Sequence, residues 1–164
     1  MFAKPINGRP FWQALTAAAL LAGSLSLLST AATAGECPAD KRGVNVTQPG
    51  TLPAKDVTDT VLTMIDVAKE PAKLDGRQFR LRRLVVQPGG VVPWHSHGDR
   101  PAIIYIVSGE ITEYASSCAV PILHKAGEST AEKSNTAHWW KNNSKAPVVL
   151  LSADLLHDDK DHNM

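Results

Sequence analysis

Three histidines carry most of the chemistry that can be read from this sequence. His95 and His97 lie in Gly89-Gly90-Val91-Val92-Pro93-Trp94-His95-Ser96-His97, and their alternation projects both imidazoles from one face of a β-strand. Two ring nitrogens on one face can chelate a divalent transition metal, and a third from another strand would complete a facial set. His138, in Asn135-Thr136-Ala137-His138-Trp139-Trp140-Lys141-Asn142, is the candidate for that third position. Imidazole suits Fe, Mn, Ni, Cu and Zn alike, so the ligand type does not choose the ion. Asp99, two residues after His97, is a candidate extra ligand if the strand persists past Gly98. Trp94, Trp139 and Trp140 adjoin the ligand positions and could wall a pocket for a planar substrate, or simply fill a barrel end. Neighbours on a strand face opposite ways, so at least one indole is expected to point outward. Arg100 could meet a substrate carboxylate or form a surface salt bridge. His124, in an expected loop, and His157 and His162, in the tail, read as solvated.

The segments that must position these residues are short and strand-like. Thr60 to Val67 is one, and Gln78 to Gln87 alternates, with Phe79, Leu81 and Val85 on one face and Arg80 and Arg82 on the other. Ala102 to Val107 is almost wholly apolar, the pattern of a strand buried on both faces. Ser108-Gly109-Glu110 then predicts a hairpin into Ile111 to Tyr114, and Pro147 to Ala153 is a further apolar strand. Helical periodicity is nearly absent, which argues an all-β sandwich or barrel of jelly-roll type.

Residues 1–34 have the layout of a secretory signal peptide. Lys4 and Arg9 make a basic start, an apolar run follows from Ala14 to about Leu28, and Ala32-Thr33-Ala34 offers a small-x-small cleavage pattern before Gly35. The run is shorter than the ~20 apolar residues of a spanning helix. Glu36 beside Cys37 argues against a lipoprotein. The remainder divides into an extended arm (35–59), a barrel domain (60–154) and a charged flexible tail (155–164). Without Lys4 and Arg9, 15 basic residues face 16 acidic ones, which gives no electrostatic case for nucleic acid or, after cleavage, for an anionic membrane. Export to the periplasm or outside the cell would let Cys37 and Cys118 pair as a disulfide, although sequence alone does not bring their Cα atoms within range.

Two spaced motifs resemble those of the cupins. Gly89, five residues, His95-x-His97, four residues, Ala102 where the family carries Glu, six residues and Gly109 reproduce the first motif. Gly127, five residues, Lys133-x-Asn135, two residues, His138, three residues and Asn142 reproduce the spacing of the second, with Lys133 and Asn135 in place of Pro and Gly. The resemblance implies a cupin jelly-roll β-barrel with one divalent metal on His95, His97 and His138. The glutamate that usually ligates is replaced by Ala102, as in the three-histidine subset that includes several dioxygenases. Such a centre would keep the ion's full +2 charge and favour anionic, oxygen-bearing substrates. The function expected is an exported metal-binding cupin with dioxygenase-like chemistry on a small oxygen-bearing substrate, anionic or aromatic. The alternatives are a metal-dependent hydrolase or isomerase and a non-enzymatic metal- or ligand-binding module. The partner expected is a small molecule, and a homodimer is an assembly that apolar strands of this kind allow.

Overall fold

The structure, a computed structural model, describes residues 35–44, 51–134 and 136–157. The proposed leader, His162 and most of the tail lie outside the described residues, as does Asn135. Among the described residues are eight strands: β1 (Lys55–Asp66), β2 (Gln78–Ser96), β3 (Ala102–Ser108), β4 (Glu110–Ala115), β5 (Ile122–Lys125), β6 (Ser129–Glu132), β7 (Ala137–Lys141) and β8 (Val148–Leu156). All pairings are antiparallel, in the order β5-β4-β7-β2-β8-β3-β6 with β1 added on β2, and they form a nearly closed barrel.

β2 organises this barrel because it changes partners midway. Its first half pairs with β8 from Gln78 to Val86, and its second half pairs with β7 from Val91 to Ser96. The switch falls at Pro88-Gly89-Gly90. Gly89 has φ +77°, and a Cβ on Gly90 would meet Gln87 O at 2.8 Å, so a side chain at either position would be strained or crowded. Gly89 N donates to Asn142 O and Asn142 N donates to Gly90 O, which ties the bend to the chain just after β7.

Several expectations are corrected here. β1 starts at Lys55, inside the segment read as an arm, and β8 runs to Leu156, inside the segment read as a tail. Leu156 is buried, and its pairing with Gln78 holds it in the sheet. Gly109 makes no β3–β4 hairpin: β3 pairs with β6 and β8, whereas β4 pairs with β5 and β7, so this turn carries the chain from one side of the barrel to the other. β3 is buried on one face only, with Ile103, Tyr105 and Val107 exposed, because the wall is a single layer with solvent outside. The alternation of β2 is present but inverted. Arg82, Leu84 and Val86 face inward, while Phe79 is exposed.

Buried carboxylates explain the inversion. Asp154 on β8 accepts a bidentate pair from Arg80 (3.0 and 2.7 Å) and a third contact from Arg100 Nη1 (3.1 Å), while Arg82 donates to Asp59 on β1. A guanidinium can be buried when such a planar ion pair replaces its water. The apolar core beside this cluster includes Leu84, Val86, Ile104, Ile106, Ile111, Trp140, Val148 and Leu150. Cys37 and Cys118 form a disulfide with Cα atoms 5.7 Å apart, fastening the arm to the β4–β5 connection. Gly43 N to Ser117 O and Ala119 N to Lys41 O reinforce that junction.

Candidate metal centre

β2 and β7 bring the three histidines together. His95 and His138 stand directly opposite each other in the ladder, and His97 follows just past the end of β2. All three are buried, and their Nε2 atoms form a triangle with each side 3.1 Å.

The opposite ring nitrogens decide what that triangle is. His95 Nδ1 lies 2.9 Å from Pro93 O, and His97 Nδ1 lies 2.9 Å from Arg100 O. Carbonyls only accept, so both Nδ1 atoms carry the proton. His138 Nδ1 donates in the same way to Glu113 Oε1 at 2.6 Å. Three lone pairs therefore converge, and only that of His138 meets a donor, Trp140 Nε1–H at 3.3 Å, so the arrangement is repulsive by itself and is relieved by a cation. At a metal–nitrogen distance of about 2.1 Å, cis ligands of an octahedron lie roughly 3.0 Å apart and tetrahedral ones roughly 3.4 Å. The observed spacing matches a facial octahedral set. Burial, with mutual repulsion from His138, holds His95 down to about 2 and His97 down to about 4, so both stay neutral and able to ligate.

Behind His138 lies a polar cluster that sequence reasoning missed. Glu113 on β4 also accepts from His124 Nε2 on β5 at 2.8 Å, and Glu132 on β6 approaches His138 Nδ1 at 3.6 Å. Burial raises Glu113, but the bonds from His124 and His138 outweigh it and hold the carboxyl at about 2. Burial pushes Glu132 up to about 7, with His138 opposing and the charge of Glu113 adding. His124 is fully buried, contrary to the solvated loop expected. The available signal was period two, since His124 shares a face with Ile122 on a short strand after Pro121. Glu132 stands directly across from Ala102 in the β3–β6 ladder. Both carboxyl groups lie on the Nδ1 side of His138, away from the Nε2 triangle.

The other expected site residues are spread out. The carboxylate of Asp99 is exposed and engaged by Arg77 (2.8 Å) and His157 (2.7 Å), away from the three histidines, because the strand ends before Gly98. Arg100 is buried, its carbonyl orienting His97 and its guanidinium on Asp154. A small cavity of about 30 Å³ adjoins the histidines, lined otherwise by Arg82, Ser152, Trp140 and the apolar Leu84, Val92, Ile104 and Leu150. Of the pocket residues expected, only Trp140 lines it. Trp139, on the opposite face of β7, stacks on Tyr114 at 4.0 Å. Trp94 is half-buried and Ala102 belongs to the core.

With this geometry in view, the comparisons agree. Residues 82–154 match the cupin domain family. That segment of the chain is a cupin domain. The chain is 30% identical over 97 residues to germin-like protein subfamily 2 member 2 of Arabidopsis thaliana, covering 57% of this chain and 44% of that one. The match thus spans less than half the length of that curated relative. Among solved structures, a double-stranded β-helix domain protein from Klebsiella pneumoniae aligns with TM-score 0.50 at 15% identity, over 68% of this chain and 84% of that chain. Identity this low speaks for the fold alone. A recombinant oxalate oxidase in complex with glycolate also aligns, with TM-score 0.49 at 20% identity over 73% of this chain and 57% of the other, too distant to carry an argument.

Proposed function

We propose that this protein is an exported cupin that holds one divalent transition metal on His95, His97 and His138 and performs dioxygenase-like oxidoreductase chemistry on a small, anionic, oxygen-bearing substrate. The observation that carries this reading is the 3.1 Å triangle of Nε2 atoms with every Nδ1 engaged by an acceptor. A bound ion would polarise a coordinated oxygen and make bound water more acidic. The chain's own contribution is to hold the imidazoles in one tautomer, to exclude bulk water with Leu84, Ile104 and Leu150, and to limit ligand size. The recess beside the histidines is narrow and mostly apolar, which suits a small ligand. The lining holds no carboxylate to serve as general base, which weighs against a hydrolase or isomerase. The leader pattern and the Cys37–Cys118 disulfide support export.

The test is elemental analysis of the parent and of His95→Ala, His97→Ala and His138→Ala, followed by oxygen uptake of the Fe(II)-loaded parent with small carboxylates. Near-stoichiometric metal in the parent, loss in the variants and substrate-dependent uptake are expected. Metal retained by all three variants would overturn the site. Metal bound without oxygen uptake would favour the non-enzymatic module, a reading that the burial of all three ligands supports.

A further inference from the structure

The polar cluster behind His138 leaves one ring nitrogen without a partner, and the start of the arm lies against it. His124 is fully buried, and because its Nε2 donates to Glu113 Oε2 at 2.8 Å, its Nδ1 presents a lone pair. That lone pair accepts no hydrogen bond, which is unfavourable for a buried acceptor. A Cβ built on Gly35 would fall 2.1 Å from His124 Nδ1, 2.6 Å from Cε1 and 2.8 Å from Cγ, so any other residue there would displace the ring. A Cα–Cβ bond is about 1.5 Å long, which puts the Gly35 Cα within about 3.6 Å of the nitrogen.

Gly35 is also the residue that follows Ala32-Thr33-Ala34, the small-x-small pattern that ends the proposed leader. Cleavage there turns its amide N–H into an α-ammonium with three donors and frees rotation about its Cα–C bond. An N–Cα bond is nearly as long as a Cα–Cβ bond, so an amine turned towards the Cβ direction comes within hydrogen-bonding range of Nδ1. In the uncleaved chain the same rotation would have to carry the leader with it. Two contacts hold this end of the arm in place: Cys37 is bonded to the fully buried Cys118, and Arg42 Nε donates to Cys37 O at 3.1 Å. The buried carboxyl groups of Glu113 and Glu132 line the same recess as Gly35, whereas its two cations, Arg42 and Lys133, are exposed, and this balance favours an ammonium.

We propose that removal of the leader makes the α-ammonium of Gly35 an internal ligand of His124, donating to Nδ1 and completing the hydrogen bonds of the cluster that orients His138. The assignment rests on the export reading, in which the leader is cut after Ala34. With a donor on Nδ1, His124 keeps its own proton on Nε2, and Glu113 stays an acceptor for His138 Nδ1. Gly35 is thus a positioning residue that acts through His124 and Glu113.

N-terminal sequencing of the exported protein should begin at Gly35. Two oxidised, metal-free proteins are then compared at about pH 6.5, where an α-amine is charged. One begins at Gly35, and the other carries a single alanine ahead of it, which restores the peptide bond. In the first, the nitrogen resonance of His124 Nδ1 should lie upfield of its position in the second, as for a ring nitrogen that accepts a hydrogen bond. Its unfolding constant in urea should be about tenfold smaller, the effect of one hydrogen bond to a charged group. Identical His124 resonances in the two folded proteins would overturn the contact, whatever their stabilities, and leave export untouched. An exported protein that begins elsewhere than Gly35 would overturn the cleavage site and the internal ligand with it, and one that keeps the leader would overturn the export reading too. If the extended protein does not fold, acetylation of the Gly35 protein decides. Its α-amine should react at least about tenfold more slowly in the folded protein than in urea, and equal rates would overturn the contact.

Discussion

Glu113→Gln is the substitution that most directly tests how the charge behind His138 shapes the centre. The carboxylate accepts from His138 Nδ1 at 2.6 Å and from His124 Nε2 at 2.8 Å, and is almost fully buried. An amide has the same shape but accepts on one side only. If its NH₂ faces His138, that imidazole must move its proton to Nε2, the atom aimed at the ion. If its NH₂ faces His124, the displaced proton goes to His124 Nδ1, which is buried without a partner. Either way one buried polar group is left unpaired, at a cost of about 1–3 kcal/mol. The carboxyl's fall from 4.5 to about 2 gives a similar figure, roughly 3 kcal/mol in favour of the charged form. The expected result is a 10–100-fold loss of Co(II) or Zn(II) affinity, about the range for removing a partner that orients a ligand. Competition with a chelator in isothermal titration calorimetry would measure it. In the metal-free protein, Glu113→Gln should lower unfolding free energy fully above pH 4.5, with the deficit vanishing as pH falls towards 2. Parent-like metal affinity in a folded Glu113→Gln protein would refute the claim that this carboxylate sets the tautomer of His138.

Other outcomes follow from the same contacts. Glu132 is raised from 4.5 to about 7 chiefly by burial, so its contribution is present below pH 4.5 and lost as pH rises through 7. Metal-free Glu132→Gln should therefore match the parent near pH 4.5 and exceed it by roughly 3 kcal/mol at pH 8 in urea unfolding. His97 is depressed from 6.5 to about 4, so the metal-free protein should lose stability as pH falls from 6.5 through 4; a flat urea midpoint over that window would contradict its burial as a neutral ring. Cys37→Ser/Cys118→Ser opens a loop closed across a sequence separation of 81 and should cost about 4 kcal/mol by chain entropy, read from denaturant midpoints with and without reductant. Trp139→Ala removes an outward stack on Tyr114 and should cost about 1 kcal/mol with no change in metal affinity, whereas a large affinity loss would mean that Trp139 faces the site after all.

Much of the site was legible before any coordinates. The pairing of His95 with His97 follows from the two-residue period of a strand, which is a local property, and the resemblance to the second cupin motif singled out His138. The all-β class was equally local, since it rests on alternation, Gly and Pro punctuation and the lack of helical periodicity. What failed were inferences that needed partners distant in sequence. Arg80 and Arg82 read as a solvent face, because nothing within β2 reveals that Asp154 and Asp59 await them across the ladders. Ser108-Gly109-Glu110 read as a hairpin turn, because a local turn signal does not say which sheet the next strand joins. The sequence by itself determined the fold class, and strand periodicity with the family resemblance singled out the three histidines. Only the tertiary structure decided that Glu113 and Glu132 stand behind His138, and that the adjoining cavity is small and mostly apolar. Buried polar clusters and cavity shape are made by side chains that folding brings together, and no single stretch of the chain contains them.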